Sequence, residues 1–233
     1  FAFGLLFIPH IEPSRPAQGV MLQAFCRPNI VLLGLPLSTA LFGPENIGHI
    51  AFMLAVLVPL INILAVLALE LFRGGTPNPK RILLGVAKNP FVLGAVAGFL
   101  CKLLQIQLPY VLDSVISSMA EAATPLALVL MGTSMNFGKL QGCGRSLTVC
   151  TVVRLFAAPV VFLSLAVALG FRGVPLCGVM LVFATPVAVN SYTMALQMDG
   201  DADLAGGIVL LTTGLSCLTL FLWIFLLKAL GLF

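Results

Sequence analysis

Two apolar segments of the chain are each interrupted by a proline, Pro36 in the first and Pro186 in the second. Proline lacks a backbone N–H and its ring clashes with the preceding turn, so a helix is expected to break or kink at both positions. A helix that restarts after a break presents free N–H groups and a partial charge of about +0.5, which suits a carboxylate ligand. Small polar side chains follow both prolines and could contact such a ligand or cap the helix: Ser38, Thr39, Asn190, Ser191 and Thr193.

Two charged residues lie well inside apolar segments, Glu121 about ten residues into one and Arg154 about seven residues into the next. If these segments cross a bilayer, such charges are costly and indicate a function. Glu121 is expected to face a cleft or a polar partner, where it could carry a proton. Arg154 could attract an anion or extend its side chain to the headgroups. Asn62 also lies inside an apolar segment, where it could bind a neighbouring helix or a ligand.

The composition indicates that these segments are transmembrane helices. Of the 233 residues, 60% are hydrophobic and only 9% are charged, whereas soluble domains contain about 25% charged residues. Uncharged runs cover residues 46–69, 173–198 and 204–227, and each is longer than the roughly 20 residues that cross a bilayer as a helix. Long runs without alternation favour helices over barrel strands. The sequence therefore predicts an all-α, polytopic transmembrane helical bundle and excludes a water-soluble enzyme.

The distribution of Lys and Arg predicts which side of the membrane each connection occupies. One set of connections carries eight of these residues, including Arg15, Arg27 and those of the segment 73–88, and the other set carries three. Because cytoplasmic connections carry the excess of positive charge, the segment 73–88 is predicted to be cytoplasmic and the C-terminus external. The expected segments are a stub at 1–9, a short broken span at 28–42, and spans at 47–72, 90–108, 111–137, 147–171, 174–198 and 204–230.

The two interrupted segments occupy corresponding positions in two halves of the chain. They lie five spans apart, and an odd number of spans reverses the direction in the membrane. The repeat is therefore inverted. Paired Gly/Pro-interrupted segments in inverted halves indicate the binding site of a transporter. Two unrelated proline kinks are the alternative.

Several stretches resemble the auxin efflux carrier family of organic-anion carriers. Residues 27–37 resemble its crossing segment Asn-x-x-x-x-Gly-[Ile/Leu]-Pro-Leu, residues 88–90 resemble its Asn-Pro, and residues 123–132 resemble its Pro-Leu-x-Leu-x-x-x-Gly span. The resemblance covers the chain from about Phe1 to Phe233. In the same order, the family pattern also fits Arg154 with Pro159, the Pro186 segment and Asp203.

The resemblance implies ten helices in two inverted five-helix repeats, with two broken helices that cross near the bilayer midplane beside the substrate site. Residues 1–72 would then form the end of the first repeat, from the end of helix three to helix five. Residues 73–89 would form a cytoplasmic linker, and residues 90–233 the second repeat. The first two helices are expected to be missing from this sequence. The short linker resembles the prokaryotic branch, the malonate and malate permeases of the bacterial cytoplasmic membrane.

The resemblance also implies roles for residues. Asn29 occupies a position implicated in substrate contact in the plant carriers, although helix capping after Pro28 competes with this role. The substrate-binding candidates are Asn29 and the residues at the two prolines, and Glu121 and Arg154 are the candidates for a role of an intramembrane charge.

The implied function is a secondary transporter of small organic anions that works by alternating access. An anion channel is the alternative, because broken half-helices also line pores. Coupling to protons or sodium is left open. No cofactor, metal or nucleic acid is expected; the expected partners are the anion and membrane lipid, and a homodimer is left open. An intramembrane protease is disfavoured, because the serine at 216 lacks the second glycine of a Gly-x-Ser-Gly motif and Asp201 lies in a connection.

Overall fold

The computed structural model describes residues 1–43, 47–73, 79–134 and 143–233, except the side chains of residues 35, 47, 79, 81, 82 and 134. Within these ranges the chain is helical, and one isolated antiparallel β-bridge joins Pro28 to Val187. The helices are α1 (Ala2–Phe7), α2 (Arg15–Cys26), α3 (Ile30–Phe42), α4 (Ile47–Phe72), α5 (Pro79–Lys88), α6 (Pro90–Leu103), α7 (Tyr110–Ser134), α8 (Gly144–Ala168), α9 (Gly173–Ala184), α10 (Asn190–Gln197) and α11 (Ala202–Ala229).

The architecture confirms the predicted all-α transmembrane bundle. Four of the described helices, α4, α7, α8 and α11, are long and apolar enough to cross a membrane, and α3, α6 and α9 are shorter apolar helices. The helix α4 coincides with the predicted span 47–72. Residues 44–46, most of the connection after the span 47–72, and the end of the predicted span 111–137 lie outside the described residues.

Two helices were not expected from the sequence. The helix α2 begins at Arg15 with proline in its first turn, a position where the missing N–H costs nothing. The helix α5 occupies most of the segment predicted as a linker, 73–89. It approaches the end of α4 closely, because a Cβ atom at Gly85 would lie 2.7 Å from the carboxyl carbon of Glu70. A glycine is therefore required where α5 covers this carboxylate.

The first helix break lies at residues 27–29 and not at Pro36, where the sequence predicts a break or a kink. The helix α2 ends at Cys26 and α3 continues from Ile30 to Phe42 with Pro36 inside it. Arg27 precedes a proline, which disfavours the helical conformation, and its φ and ψ are −113° and 87°. In a bilayer a break is tolerated where other protein groups satisfy the freed backbone, and such groups are present at residues 27–29.

The second break contains Pro186 as predicted, because α9 ends at Ala184 and α10 begins at Asn190. The two breaks pair with each other. The N–H of Asn29 donates to the carbonyl of Pro186 at 2.8 Å, and the N–H of Ala188 donates to the carbonyl of Arg27 at 3.2 Å. The broken helices α2–α3 and α9–α10 therefore meet in opposite directions, as an inverted repeat requires. We call residues 27–29 and 185–189 the crossing.

Buried apolar side chains form two clusters, one for each pair of half-helices. One cluster joins α2 and α10 to α4 and α11, with Met21, Val66, Met194 and Ile208 at its centre. The other joins α3 and α9 to α4 and α11. Its fully buried members include Leu176, Met180 and Leu181. Each half-helix is thus held by packing on its own side of the crossing.

Polar contacts gather at one end of the bundle, which we call the Arg73 face. The guanidinium of Arg73 pairs with the carboxylates of Glu70 at 3.0 Å and Asp199 at 2.9 Å. The hydroxyl of Ser146 donates to the carboxylate of Glu12 at 2.6 Å. At the opposite end the N–H of Gly173 donates to the carbonyl of Leu232 at 2.8 Å. The C-terminal residues and Arg73 therefore lie at opposite ends of the bundle.

Candidate functional site

The backbone of the crossing is satisfied by side chains as well as by the β-bridge. The N–H of Val187 donates to the hydroxyl oxygen of Thr212 on α11 at 3.2 Å. The N–H groups of Ser191 and Tyr192 donate to the carbonyls of Ala188 and Val189 at 2.9 and 3.2 Å. These partners explain how an irregular segment is tolerated inside an apolar bundle.

Arg154 holds the carbonyl ends of two half-helices at the crossing. Its side chain is 2% exposed, and its guanidinium donates to the carbonyls of Thr185 at 2.8 Å and Val182 at 2.7 Å. A longer bond of 3.4 Å reaches the carbonyl of Phe25 at the end of α2. Helix C-termini carry partial negative charge, so this cation stabilises both ends. Of the two roles open to Arg154 from the sequence, extension to the headgroups is not observed, because its guanidinium is buried against these carbonyls.

A π-helical turn, Val153–Ala157, places Arg154 in this position. Proline at 159 has no N–H to donate to the carbonyl of Leu155, four residues earlier, and its ring disfavours the regular turn. The indole N–H of Trp223 on α11 donates to this carbonyl instead, at 3.0 Å. The wider turn is thus supported by a neighbouring helix, and π-turns are frequent at functional sites.

A cavity of about 880 Å³ lies beside the crossing, between the starts of α3 and α10, the middle of α4 and the middle of α7. Its volume is within the range of about 300–1,000 Å³ that is usual for small-molecule sites. Most of its lining is apolar, and the polar or charged residues that line it are Arg27, Asn29, Asn62, Glu121, Thr124 and Asn190.

The start of α3 presents hydrogen-bond donors at this cavity. Asn29 precedes the first turn but makes no capping hydrogen bond, and its buried amide nitrogen Nδ2 has no partner. Its side chain is 7% exposed. The first residues of α3, Ile30 to Leu32, line the cavity, and the N–H groups of a first helical turn have no partner within their helix. Capping, the alternative role of Asn29, is not observed.

The start of α10 reaches the same cavity. Val189 and Asn190 line it, and no side chain caps this helix. Two helix N-termini with their partial positive charges therefore lie at one cavity. This arrangement of donors can bind an anion without a metal ion. Within the described ranges, no three His, Cys, Asp or Glu side chains are grouped so that they could hold a metal.

The structure brings some of the predicted residues together and separates others. Asn29 and Asn190 share the cavity with Asn62 and with Glu121, which is exposed on α7. Pro186 lies in the crossing, next to the cavity. The other candidates are elsewhere: Pro36, Ser38 and Thr39 lie further along α3, Ser191 is buried with an unpartnered hydroxyl, and the hydroxyl of Thr193 donates to the carbonyl of Asn190 at 3.0 Å.

Arg27 is the cavity residue that sequence reasoning missed. It was counted as a basic residue of a connection, although it is 2% exposed and lines the cavity. The available signal was its position before Pro28, because a residue before proline is disfavoured in a helix. That signal would have moved the break, and Arg27 with it, into the bundle.

Electrostatic interactions at the Arg73 face are separate from the cavity. The hydrogen bonds that the Arg73 guanidinium donates to the carboxylates of Asp199 and then Glu70 raise its pKa. Burial, followed by the negative charges of Asp201, Glu12 and Asp203, raises the pKa of the Cys143 thiol. Arg73 thus stays charged and joins the end of α4 to the connection before α11.

Comparison with known proteins assigns the family. A family model described as "Membrane transport protein" matches residues 78–224. An uncharacterized transporter of Methanothermobacter thermautotrophicus is 25% identical over 197 residues, which are 84% of this chain and 63% of that protein. The chain thus spans somewhat less than two thirds of the length of this relative. No solved structure matches the chain. Because the family model covers more than half of the chain, the chain belongs to this family of membrane transport proteins, the auxin efflux carrier family.

Proposed function

We propose that this protein carries small organic anions, carboxylates such as malonate or malate, across a bacterial cytoplasmic membrane by alternating access. The observation that carries the proposal is the cavity at the crossing, where the start of α3 and the unpartnered amide of Asn29 present donors and the start of α10 adds partial positive charge. Donors that have lost water and have no protein acceptor favour an anionic ligand.

The arrangement of the walls supports alternating access. The half-helices of one wall are tied together by the crossing and packed on α4 and α11. The opposite wall is formed by α7, whose described residues are largely exposed and contact α10. A rocking motion of both broken helices against α7 would open the cavity first to one side and then to the other. We place the Arg73 face in the cytoplasm and the C-terminus outside.

Uptake by the full chain in proteoliposomes tests the proposal. Radiolabelled malonate or malate should enter in a saturable manner, and unlabelled substrate inside the vesicles should accelerate entry by counterflow. Empty vesicles are the control. A non-saturating anion conductance without counterflow would instead establish the channel alternative.

The substrate class is tested by thermal unfolding in detergent. A ligand that binds only the folded protein raises its apparent stability, by about 2.7 kcal/mol at 100 times its dissociation constant. A panel of mono- and dicarboxylates should therefore raise the unfolding temperature, while the corresponding neutral amides should not. Equal shifts with amides would contradict an anion site.

A further inference from the structure

Arg27 is a buried cation whose charge has no acidic partner in the described part of the chain. None of the ion pairs found in that part includes Arg27. Among the described residues, the Arg27 guanidinium donates to the thioether sulfur of Met194, which is a weak acceptor. A guanidinium has five N–H donors, so most of its hydrogen-bonding capacity is unused.

Arg154, which binds carbonyls at the same crossing, is a structural arginine with which Arg27 can be compared. Its guanidinium donates to three backbone carbonyls, those of Phe25, Val182 and Thr185, and Arg154 does not line the cavity. Arg27 is equally buried and does line it. The Arg154 guanidinium is therefore committed to backbone carbonyls, whereas the Arg27 guanidinium donates to no carbonyl that the structure describes and belongs to a residue of the cavity lining.

The surroundings of Arg27 add donors and no acidic side chain on its own wall. The amide nitrogen of Asn29 is unpartnered, and the first turn of α3 contributes N–H groups and partial positive charge. The one carboxylate that lines the cavity belongs to Glu121 on the opposite wall. A cation taken out of water among donors is unfavourable unless an anion joins it.

We infer that Arg27 binds a carboxylate group of the transported anion and makes the carrier select charged ligands over neutral ones of the same shape. The inference rests on the proposed function and names the side chain that recognises its substrate class. Arginine suits this role because its planar fork can donate two parallel hydrogen bonds to a carboxylate.

The test compares malonate with its monoamide, malonamate, and its neutral diamide, malonamide. Binding to the purified full chain is measured by thermal shift and transport by uptake into proteoliposomes. Arg27→Gln should weaken malonate binding about 10- to 100-fold, the usual cost of losing a charged hydrogen-bond partner. Malonamide binding should change less than about threefold, and Arg27→Lys should restore part of the preference for malonate, because it keeps the charge without the fork.

A second measurement separates recognition from folding. Because the charge of Arg27 has no acidic partner, Arg27→Gln without ligand should unfold at the wild-type temperature or higher. If Arg27→Gln unfolds at a lower temperature and Arg27→Lys keeps full malonate affinity and selectivity, the role of Arg27 is structural and the inference is wrong.

The remaining outcomes distinguish the inference from the proposal beneath it. An intact preference of Arg27→Gln for malonate over malonamide contradicts the inference and leaves the proposed function standing. If wild-type protein neither binds nor carries any carboxylate, the proposed function fails and the inference falls with it.

Discussion

Arg27 is part of the crossing and Arg154 binds carbonyls in and beside it, and the partners of these two buried guanidinium groups decide what a substitution at each should do. Arg154 supplies donors to the ends of α2 and α9, where carbonyl groups would otherwise lack a partner. Three carbonyls from two helices converge on one side chain. Its contribution is therefore structural, and it acts on the site by fixing the half-helices that surround the cavity.

Replacing Arg154 with Gln should destabilise the protein. Glutamine is shorter and cannot reach all three carbonyls, and each buried group left unpaired costs about 1–3 kcal/mol. We expect a loss of at least about 2 kcal/mol, measured as a lower midpoint of thermal unfolding in detergent. Arg27→Gln is the matched control. Equal unfolding temperatures of wild type and Arg154→Gln would refute the capping role.

Glu121 is the titratable acid on the cavity wall, and Arg27 is the other ionisable residue that lines the same cavity. If Glu121 carries the proton in coupled transport, an imposed pH gradient should change malonate uptake less in Glu121→Gln than in wild type. We expect this change in uptake to be smaller by at least about fivefold. Asp113→Asn is the control, because Asp113 lies in the first turn of the same helix and does not line the cavity. An unchanged pH profile would remove Glu121 from coupling.

At the scale of elements, the two kinds of proline have separate effects. Pro28 and Pro186 lie in the crossing, whereas Pro36 lies inside α3 and outside the cavity lining. Alanine at 36 should restore a helical hydrogen bond without disturbing the site. Uptake by Pro36→Ala should stay within about twofold of wild type, whereas Pro28→Ala combined with Pro186→Ala should lose at least about tenfold, because both breaks gain helix-forming residues. If Pro36→Ala instead lost more uptake than the double variant, Pro36 would be the proline that transport requires.

The contact between α4 and α5 depends on a glycine. A Cβ atom at Gly85 would meet the Glu70 carboxylate at 2.7 to 3.0 Å, so Gly85→Ala must displace that carboxylate or lift α5. We expect a destabilisation of about 1–3 kcal/mol in thermal unfolding. Gly94→Ala on α6 is the matched control, because nothing lies within 4 Å of its added Cβ and alanine favours the helix by about 1 kcal/mol. If Gly85→Ala and Gly94→Ala change the unfolding temperature equally, the Glu70 carboxylate moves aside without a measurable loss of stability.

The sequence allowed the long helices to be predicted more accurately than the breaks. A run of apolar residues determines its own span, which is why α4 coincides with its prediction. A break depends on groups elsewhere in the chain. Pro36 carries the stronger local signal, but the backbone of Arg27 and Asn29 has partners in residues 186–188, which no local pattern reveals. Glu121 on α7 could be proposed from the sequence as an intramembrane charge. That it shares a cavity with residues of α3, α4 and α10 could be recognised only in the folded structure.

At the scale of the whole molecule, the Arg73 face gives the bundle two distinct ends. Contacts between Glu12 and Ser146 and between Arg73 and Asp199 join residues distant in sequence at one end. The positive charge in these connections favours a cytoplasmic location. Because the bundle has two distinct ends, one accessible residue at the Arg73 face can report on which side of the membrane that face lies.

Cys143 can report it. In a protein with Cys143 as its single cysteine, a membrane-impermeant maleimide should label permeabilised cells and leave intact cells unlabelled. The pKa of this thiol is raised by burial and by nearby acids, so its thiolate is scarce at neutral pH and labelling should accelerate as the pH rises above 8 to about 9. A single-cysteine control at Cys217, which faces outward from a membrane-spanning helix, should stay unlabelled in both. Labelling of Cys143 in intact cells would show that the orientation is the opposite of the proposed one.

The hydrogen bond between Trp223 and the carbonyl of Leu155 has a practical consequence, because Trp223 is the single tryptophan of the chain. Its indole reports the polarity at the π-helical turn beside Arg154. Any movement of α8 against α11 that lengthens this bond changes the surroundings of that one fluorophore. The native protein therefore contains its own optical probe, and the response of the crossing to an added anion can be followed as a change in tryptophan emission without labels or mutations.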